Sequence, residues 1–308
     1  MKCMNTNWFI IVNPTSGNGA AKKKWNLIYN ELINQQFKFE FEFTKYEKHS
    51  LELLQNAIDK GFTKFICVGG DGTLHNMVNG ILSLTSKNAS EIKIGSIPIG
   101  TGNDWVKTYG ISKNISSAIQ TIKNQHTIAQ DIGVISLSTT NKKVYFNNLA
   151  GIGFDGYVVD KVHKYKHFGF LAYLTGAIVS LASFKRSALK ITFNNTILKG
   201  KTLMLLIGIC KYSGGGMQLT QQPNTTDGLF DISYIKKINL GTILGNLPGL
   251  FNGTITNHKL VSNYKTATIK VEVLDTEKTF IQADGELVGS GNFSVSILQK
   301  ALNFIVPQ

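Results

Sequence analysis

Short apolar runs alternate along the first 130 residues with stretches whose apolar residues recur at helical spacing. The runs predict strands at residues 8–12, 65–68 and 94–97, and a strict period of two predicts another at 37–43. Helical spacing predicts helices at 20–33, 51–59, 73–84 and 114–123. We expect Ser50 to cap the helix at 51–59 and Gly61 to end it. This alternation favours a parallel sheet with right-handed crossovers.

The pattern changes near Asp131, where short β-branched or aromatic runs separated by turn residues take over. They predict strands at 132–137, 144–146, 189–193, 203–210, 229–235, 267–273, 279–283 and 293–298. A single helical block, at 157–184, interrupts them. The predicted fold class is therefore an N-terminal parallel-sheet α/β domain, residues 1–131, followed by an antiparallel β-sandwich or barrel, residues 132–308.

Charge is distributed unevenly along the chain. Thirty-two basic and nineteen acidic residues give a net charge of +13, and no Asp or Glu occurs between Lys161 and Thr226. A basic surface attracts the phosphates of nucleic acid, nucleotide or anionic lipid. Base-reading proteins favour the arginine fork, and Arg186 is the chain's one arginine, so the composition argues against nucleic acid.

Composition also limits the location of the protein. Three cysteines, at 3, 67 and 210, cannot form a disulfide framework, and their spacing does not suggest zinc, which indicates a reducing compartment. The apolar run at 8–12 is too short for a signal peptide. The uncharged run at 168–184 is shorter than a spanning helix requires and predicts a buried or interfacial helix. We therefore expect a cytoplasmic protein without a membrane span.

Glycine- and hydroxyl-rich loops follow three of the four predicted parallel strands, at residues 13–19, 69–73 and 100–104. Parallel strands end at one edge of the sheet, so these loops should meet there, and their backbone N–H groups can approach a phosphate closely. An Asp within such a loop, such as Asp71, is suited to bind Mg²⁺ beside the phosphate or to take a proton. One such loop would be no more than a tight turn; three on one edge favour phosphate binding.

Residues 151–156 spell G-x-G-x-x-G, the dinucleotide fingerprint. That fingerprint needs a βαβ unit and an acidic residue about 20 positions further on, and neither is predicted here. We therefore reject NAD binding at this segment. A Walker A sequence is absent from the chain.

The three loops together resemble the diacylglycerol kinase catalytic family, the bacterial soluble lipid kinases that act on diacylglycerol or sphingosine-type lipids. The second half resembles the same family at residues 148–155, 214–217, 226–231 and 283–286, so the likeness spans nearly the whole chain. It implies that ATP binds in a cleft between the two domains. The residues that this resemblance assigns to the nucleotide are Asn13, Pro14, Thr15, Ser16, Gly17, Thr44, Gly69, Gly70, Asp71, Gly72, Thr73, Leu74, His75 and Thr101.

The resemblance also implies catalytic and metal-binding residues. Glu286, with Asp284 beside it, matches the family's acidic pair and would accept the proton of the acceptor hydroxyl, while Asp71 would organise metal or phosphate. Asp71 as the proton acceptor remains open. Mg²⁺ would bind at Asn224, Asp227 and the backbone carbonyl of Leu229. At Asn76 the chain departs from the Glu that is commoner in the family, which leaves the role of that position undecided.

The implied function is transfer of the γ-phosphate of ATP to the hydroxyl of a membrane lipid, with diacylglycerol as the favoured acceptor. Alternatives are a sphingosine-type or phosphatidylglycerol kinase, a soluble NAD-kinase-like enzyme, and a non-catalytic nucleotide- or lipid-binding protein. We expect peripheral contact with an anionic membrane and no nucleic acid, and a homodimer is an open alternative. The predicted membrane-facing residues are Lys161, Lys164, Tyr165, Lys166, Phe168, Phe170, Leu171, Tyr173, Lys185 and Arg186, unless they belong to a core helix with solvated lysines.

Overall fold

The computed structural model describes residues 5–85, 89–162 and 170–308, and these form two compact units. The first unit comprises the described residues up to Gln130 together with Lys300–Gln308, and the second comprises Asp131–Gln299. The last nine residues therefore belong to the first unit, although the sequence pattern groups them with the second domain. Four of the predicted membrane-facing residues, Lys164, Tyr165, Lys166 and Phe168, lie outside the described residues.

The first unit is a parallel α/β sheet. Its strands are β1 (Asn5–Val12), β2 (Phe39–Phe43), β3 (Phe62–Gly69) and β4 (Lys93–Pro98), in the order β2-β1-β3-β4 and all parallel. The end of a late strand, β16 (Phe293–Ile305), pairs in parallel with β4 through Asn303 and Phe304. The helices are α1 (Ala20–Asn34), α2 (His49–Asp59), α3 (Asp71–Leu84), α4 (Asp104–Thr108) and α5 (Ile115–Asn124).

Alternating side chains of these strands bury one core against α1 and α5. Ile10 and Val12 of β1 and Ile66 and Val68 of β3 pack there with apolar residues of the two helices, among them Trp25, Ile28, Leu32, Ile119 and Ile122. The predicted alternation of strands and helices is confirmed. The predicted cap is wrong: α2 begins at His49 after Lys48, whose φ is +65°, and Ser50 is buried in the first turn.

The second unit is built on antiparallel strands. One group joins β5 (Thr127–Leu137) to β6 (Lys143–Phe146), and another joins β9 (Thr196–Thr202), β8 (Ser187–Phe193), β13 (Thr268–Val273) and the first part of β16. A six-stranded sheet has the order β12-β11-β10-β7-β14-β15. Its strands are β7 (Leu149–Gly153), β10 (Met204–Gly208), β11 (Phe230–Ile235), β12 (Val261–Thr266), β14 (Ile281–Ala283) and β15 (Glu286–Gly289).

Helices α6 (Phe154–Val162), α7 (Phe170–Ser183), α8 (Leu240–Gly245) and α9 (Leu247–Asn252) complete the described part of this unit. The G-x-G-x-x-G segment lies on β7 and the start of α6, and β7 is antiparallel to both of its neighbours, β10 and β14. The segment is therefore not the βαβ unit that dinucleotide binding needs. None of the described helices qualifies as a membrane span.

Candidate active site

The loop after β1 is bonded to the loop after β3. Asn13 Nδ2 donates to Thr73 Oγ1 at 3.1 Å, and the hydroxyls of Ser16 and Thr73 lie 3.3 Å apart. Asn13 Oδ1 accepts from the backbone N–H and the hydroxyl of Thr15, at 3.2 and 2.8 Å. Thr73 is itself buried at the start of α3. The structure thus brings two of the three predicted phosphate-binding loops together.

Glycines allow the loop after β4 to join them. A Cβ on Gly17, whose φ is +61°, would lie 2.3 Å from the carbonyl oxygen of Ile99, and a Cβ on Gly100 would lie 2.6 Å from Cα of Gly70. Real Cβ atoms do not approach backbone this closely, so the loops can meet only where side chains are absent. The glycines of all three loops therefore meet at the carboxyl edge of the parallel sheet, where such folds bind ligands.

Asp71 connects α3 to α4. It is the first residue of α3, and its carboxylate accepts the backbone N–H groups of Asp104 at 3.1 Å and Trp105 at 3.2 Å, in the first turn of α4. Negative charge is favourable at a helix N-terminus because the unpaired N–H groups carry partial positive charge.

Burial, and then the charge of Asp71, raises the pKa of the Cys67 thiol, which keeps that buried cysteine protonated.

Asn103 and Gln130 are supporting residues that the sequence alone did not indicate. Asn103, with φ +53° and 2% exposed, donates to the Gly100 carbonyl at 2.7 Å and accepts the Gly100 N–H at 3.0 Å. Gln130 Oε1 accepts from Trp105 Nε1 at 2.9 Å and from the Tyr109 hydroxyl at 2.8 Å. The only sequence signal for Asn103 was its place inside the glycine loop.

The other predicted nucleotide residues lie on the same unit. Thr44 follows β2, and its backbone N–H donates to the Val12 carbonyl at 2.9 Å. Leu74 and His75 are buried in α3, and Asn79 Nδ2 donates to the His75 carbonyl at 2.9 Å. Thr101 is exposed on the loop after β4. The predicted nucleotide residues of the first unit therefore combine exposed loop groups with buried helix residues.

In the second unit, the predicted catalytic acids Asp284 and Glu286 lie at a two-residue turn, with one residue, Gly285, between them. Asp284 and Gly285, with φ +52° and +82°, connect β14 to β15. The Asp284 carboxylate accepts three backbone N–H groups, from Asn147, Asn148 and Leu149, at 3.1, 2.9 and 3.1 Å. Within the described part of the chain, the half-buried Glu286 carboxylate makes no hydrogen bond or ion pair. The Asp284 carboxylate therefore holds the backbone of residues 147–149 in place, while the Glu286 carboxylate has no bonding partner in the described structure.

A further acid in this unit, Asp155, is held in the first turn of α6. It accepts a hydrogen bond from Nε2 of Gln282, a residue of β14 that is 2% exposed. Burial raises the pKa of Asp155 to about 6, against which the Gln282 hydrogen bond acts in the opposite direction. Asp155 is the last residue of the segment 148–155 that resembles the family, and the sequence alone indicated no role for it.

Replacing this acid should change how stability depends on pH. The ordinary pKa is 3.8 and the folded value is about 6, so the unfolded chain releases this proton first, and stability falls as pH rises between those values. Asp155→Asn has no proton to release. We expect its free energy of unfolding, relative to the parent, to grow across that window by up to about 3 kcal/mol. Urea unfolding from about pH 4 to about pH 7.5 measures this.

Asp160→Asn is the control, since it removes an acid from the same helix at a position paired with Lys161 at 3.2 Å. A stability difference for Asp155→Asn that stays constant across the pH range would contradict the assignment.

The three predicted Mg²⁺ ligands lie in one loop before β11. Asn224 Oδ1 accepts the N–H of Thr226 at 3.0 Å, and Asp227 Oδ1 accepts the N–H of Leu229 at 3.0 Å. Carboxylate, amide and carbonyl oxygens are the donor types that Mg²⁺ prefers, so the loop has the right chemistry. No cluster of three or more His, Cys, Asp or Glu residues that could hold a metal occurs among the described residues.

Lys265 competes for the acidic groups of this loop. Its Nζ lies 2.8 Å from Asp231 Oδ2 and 3.5 Å from Asp227 Oδ2. Burial alone would lower the pKa of Lys265, but its hydrogen bond to Asp231 and the charges of Asp231 and Asp227 raise it overall. The ammonium is therefore charged, and a cation bound at Asp227 has to share that carboxylate with it.

The three glycine loops of the first unit and the acidic turn of the second have the chemistry of a phosphotransferase, and comparison with known proteins specifies which kind. Residues 7–135 match the model of the diacylglycerol kinase catalytic domain, and residues 148–306 match that of the YegS C-terminal NAD kinase beta sandwich-like domain. The chain belongs to the bacterial diacylglycerol kinase and YegS-type lipid kinase family. It is thus a lipid kinase of that family and uses ATP.

Several diacylglycerol kinases are similar to the chain over nearly its whole length. The one from Bacillus subtilis (strain 168) is 27% identical over 302 residues, covering 97% of this chain and 96% of that protein. The one from Staphylococcus aureus (strain bovine RF122 / ET3-1) is 28% identical over 304 residues, covering 97% and 91%. A crystal structure of a diacylglycerol kinase from Bacillus anthracis str. Sterne shares the fold, with a TM-score of 0.72 at 22% identity over 98% of this chain and 97% of that one.

Proposed function

We propose that this kinase transfers the γ-phosphate of ATP to the hydroxyl of diacylglycerol. In this proposal the nucleotide binds to the first unit and the lipid to the second. Diacylglycerol is favoured over other acceptors because the relatives that cover nearly the whole chain are diacylglycerol kinases. The single observation that carries the chemistry is the Glu286 carboxylate, which no group in the described structure engages.

The three glycine loops suit the triphosphate. Gly17, Gly70 and Gly100 keep side chains out of the space where the loops meet, and backbone N–H groups there can bind phosphate oxygens. The Asp71 carboxylate is already bonded to two N–H groups of α4, so its role is to hold the loop after β4 against the loop after β3. This geometry supports Asp71 as an organiser and favours Glu286 as the proton acceptor.

Glu286 follows directly after a turn that the rest of the unit holds in place. Phosphoryl transfer depends mainly on positioning and on neutralising charge, and the attacking hydroxyl must also lose its proton. A carboxylate with no partner of its own can accept that proton. Mg²⁺ would be held by Asn224, Asp227 and the Leu229 carbonyl, each of which offers an oxygen, and when bound it would supply positive charge for the reaction.

A basic surface of the second unit suits an anionic membrane. We define it by six residues near β9 and the ends of α7 and β11: Lys185, Arg186, Lys199, Lys201, Lys236 and Lys237. Arg186 donates to the Lys236 carbonyl at 3.2 Å, and a Cβ on Gly200, between Lys199 and Lys201, would lie 3.9 Å from Lys236 Cε. Across the described ranges none of the six is in an ion pair, and Ile197 on the same strand is 63% exposed.

This basic surface would hold the enzyme peripherally on the cytoplasmic face of the membrane, where its acceptor lies. Each basic group near an anionic surface contributes about 1 kcal/mol. Neutralising two of them, by Lys236→Gln with Lys237→Gln, should therefore weaken binding to phosphatidylglycerol-containing vesicles by about 30-fold. Co-sedimentation measures the effect, and Lys22→Gln with Lys23→Gln on α1 is the control with the same loss of charge.

Equal pelleting with anionic and neutral vesicles would rule out this electrostatic attachment.

The substrate itself is tested by transfer of labelled phosphate from ATP with Mg²⁺. The acceptors are diacylglycerol, monoacylglycerol, sphingosine and phosphatidylglycerol in mixed micelles, and NAD in solution. We expect the largest kcat/KM for diacylglycerol. A higher value for another lipid would reassign the acceptor, transfer to NAD alone would identify a soluble-substrate kinase, and ATP binding without any transfer would favour a non-catalytic binding protein.

A further inference from the structure

Gln282 bonds through both ends of its side-chain amide. Nε2 donates to Asp155 Oδ2, and Oε1 accepts the backbone N–H of Gly285 at 2.8 Å. An ionised carboxylate can only accept and a backbone N–H can only donate, so one of the two amide orientations satisfies both partners. Asp155 therefore fixes the orientation of Gln282, and Gln282 in turn holds the N–H of Gly285, the residue before Glu286.

Two glycines place Asp155 against the sheet. A Cβ on Gly151 of β7 would lie 2.3 Å from Asp155 Oδ2, and a Cβ on Gly156 would lie 2.3 Å from the Phe280 carbonyl oxygen. Gly156 must lack a side chain for α6 to approach the Phe280 backbone as it does, and Gly151 must lack one for the Asp155 carboxylate to lie against β7. The close approach of the helix explains how a carboxylate reaches a buried glutamine 127 positions away in the chain.

We propose that Asp155 and Gln282 are positioning residues that hold the Asp284–Gly285 turn so that Glu286 can accept the substrate proton. This inference rests on the proposed function, because it concerns how Glu286 is aimed. The Asp284 carboxylate fixes one side of the turn through residues 147–149, and Gln282 fixes the other through Gly285. Glu286 is the first residue beyond a turn held from both sides.

The hydrogen bonds between Asp155, Gln282 and Gly285 make the support of the turn depend on pH. When Asp155 is protonated, its O–H can donate to the amide oxygen of a flipped Gln282, whose NH₂ would then face the N–H of Gly285. The NH₂ of Gln282 and the N–H of Gly285 would then be two donors facing each other without an acceptor, and the turn would lose the hydrogen bond to Gln282. The other ionisable residues on α6 and on the described elements packed against it, α7, β7, β10, β14 and β15, are Tyr157, Asp160, Lys161, Tyr173 and Glu286, with Asp284 in the turn after β14.

The test exchanges the carboxyl group of Asp155 and the amide group of Gln282. Gln282→Glu can still accept from Gly285, but it can bond to Asp155 only if one proton is shared between the two carboxyls. We expect its kcat, relative to the parent, to fall by about tenfold or more as pH rises from about 6 to about 8.5, with KM for ATP unchanged. The double variant Asp155→Asn, Gln282→Glu restores a donor facing an acceptor, so it should recover parent-like activity across this range.

These outcomes separate positioning from packing. A loss caused by packing alone would not depend on pH and would not be rescued by the exchanged pair. Parent-like behaviour of Gln282→Glu, or no recovery in the double variant, would overturn the inference. The proposed function fails differently, since the parent would then transfer phosphate to no lipid. In that case the rate of hydrogen exchange at the Gly285 amide is measured instead. It should rise in Gln282→Glu at high pH and fall again in the double variant. An unchanged rate would overturn the inference.

Discussion

Glu286→Gln should lower kcat for the lipid acceptor by about 10²- to 10⁴-fold, the usual contribution of a general base, and leave KM for ATP near the parent value. The substitution is isosteric, and within the described residues it breaks no hydrogen bond or ion pair of the folded protein. Its effect on Tm should therefore stay within the small range of surface changes. Steady-state kinetics in mixed micelles and thermal unfolding measure the two quantities.

Glu277→Gln is the matched control, because it makes the same change at an exposed position of the second unit. We expect it to retain parent activity. Glu286→Gln with more than about a tenth of parent kcat would remove Glu286 from the reaction and return the proton-acceptor role to Asp71.

Asp284→Ala should destabilise the protein by about 3–5 kcal/mol, because three backbone N–H groups lose their acceptor at once. A second contribution comes from the backbone, since φ at this position is +52°, where alanine is strained and asparagine is tolerated. Asp284→Asn keeps one acceptor oxygen and the backbone preference, so its loss should be smaller. Urea unfolding followed by circular dichroism gives both values.

Asn141→Ala separates the two contributions. Asn141 has the same φ of +52° in an exposed turn, and in the described structure its side chain bonds to nothing. Its loss should be about 1 kcal/mol, the backbone contribution alone. Equal losses for Asp284→Ala and Asn141→Ala would mean that the Asp284 carboxylate contributes nothing to holding residues 147–149.

Local pattern was sufficient to predict strands β1 to β4, helices α1, α2, α3 and α5, and the grouping of the glycine loops. Each helix and strand there carries its own hydrophobic period, and parallel pairing sends the ends of β1, β3 and β4 to one edge. Where a feature depends on one turn, the prediction was weaker. Ser50 has the side chain of a cap, yet the left-handed backbone at Lys48 starts α2 earlier.

Contacts between distant residues could not be predicted from pattern. In the sequence, Asp284 is an ordinary turn acid, and only the fold brings the N–H groups of residues 147–149 to its carboxylate. Asp155 lies within the rejected G-x-G-x-x-G segment, and only the fold brings Gln282 to it. The strands β7, β9, β12 and β15 were missed. β9 and β12 are largely polar, β15 is short, and glycines at 151 and 153 weaken the strand pattern of β7. The hydrophobic period predicts which face of a helix or strand is buried. It does not predict which residues, distant in the chain, form hydrogen bonds with each other.

The return of the last nine residues to the first unit has a consequence for how the protein is made. Phe304 is fully buried beside Trp105, with ring centres 4.8 Å apart, and the Val306 N–H donates to the His126 carbonyl at 3.0 Å. A ribosome releases residues 131–299 before it releases this strand, so the first unit stays incomplete until residues 300–308 have also been synthesised. A chimera that exchanges this unit between relatives must therefore carry both of its pieces.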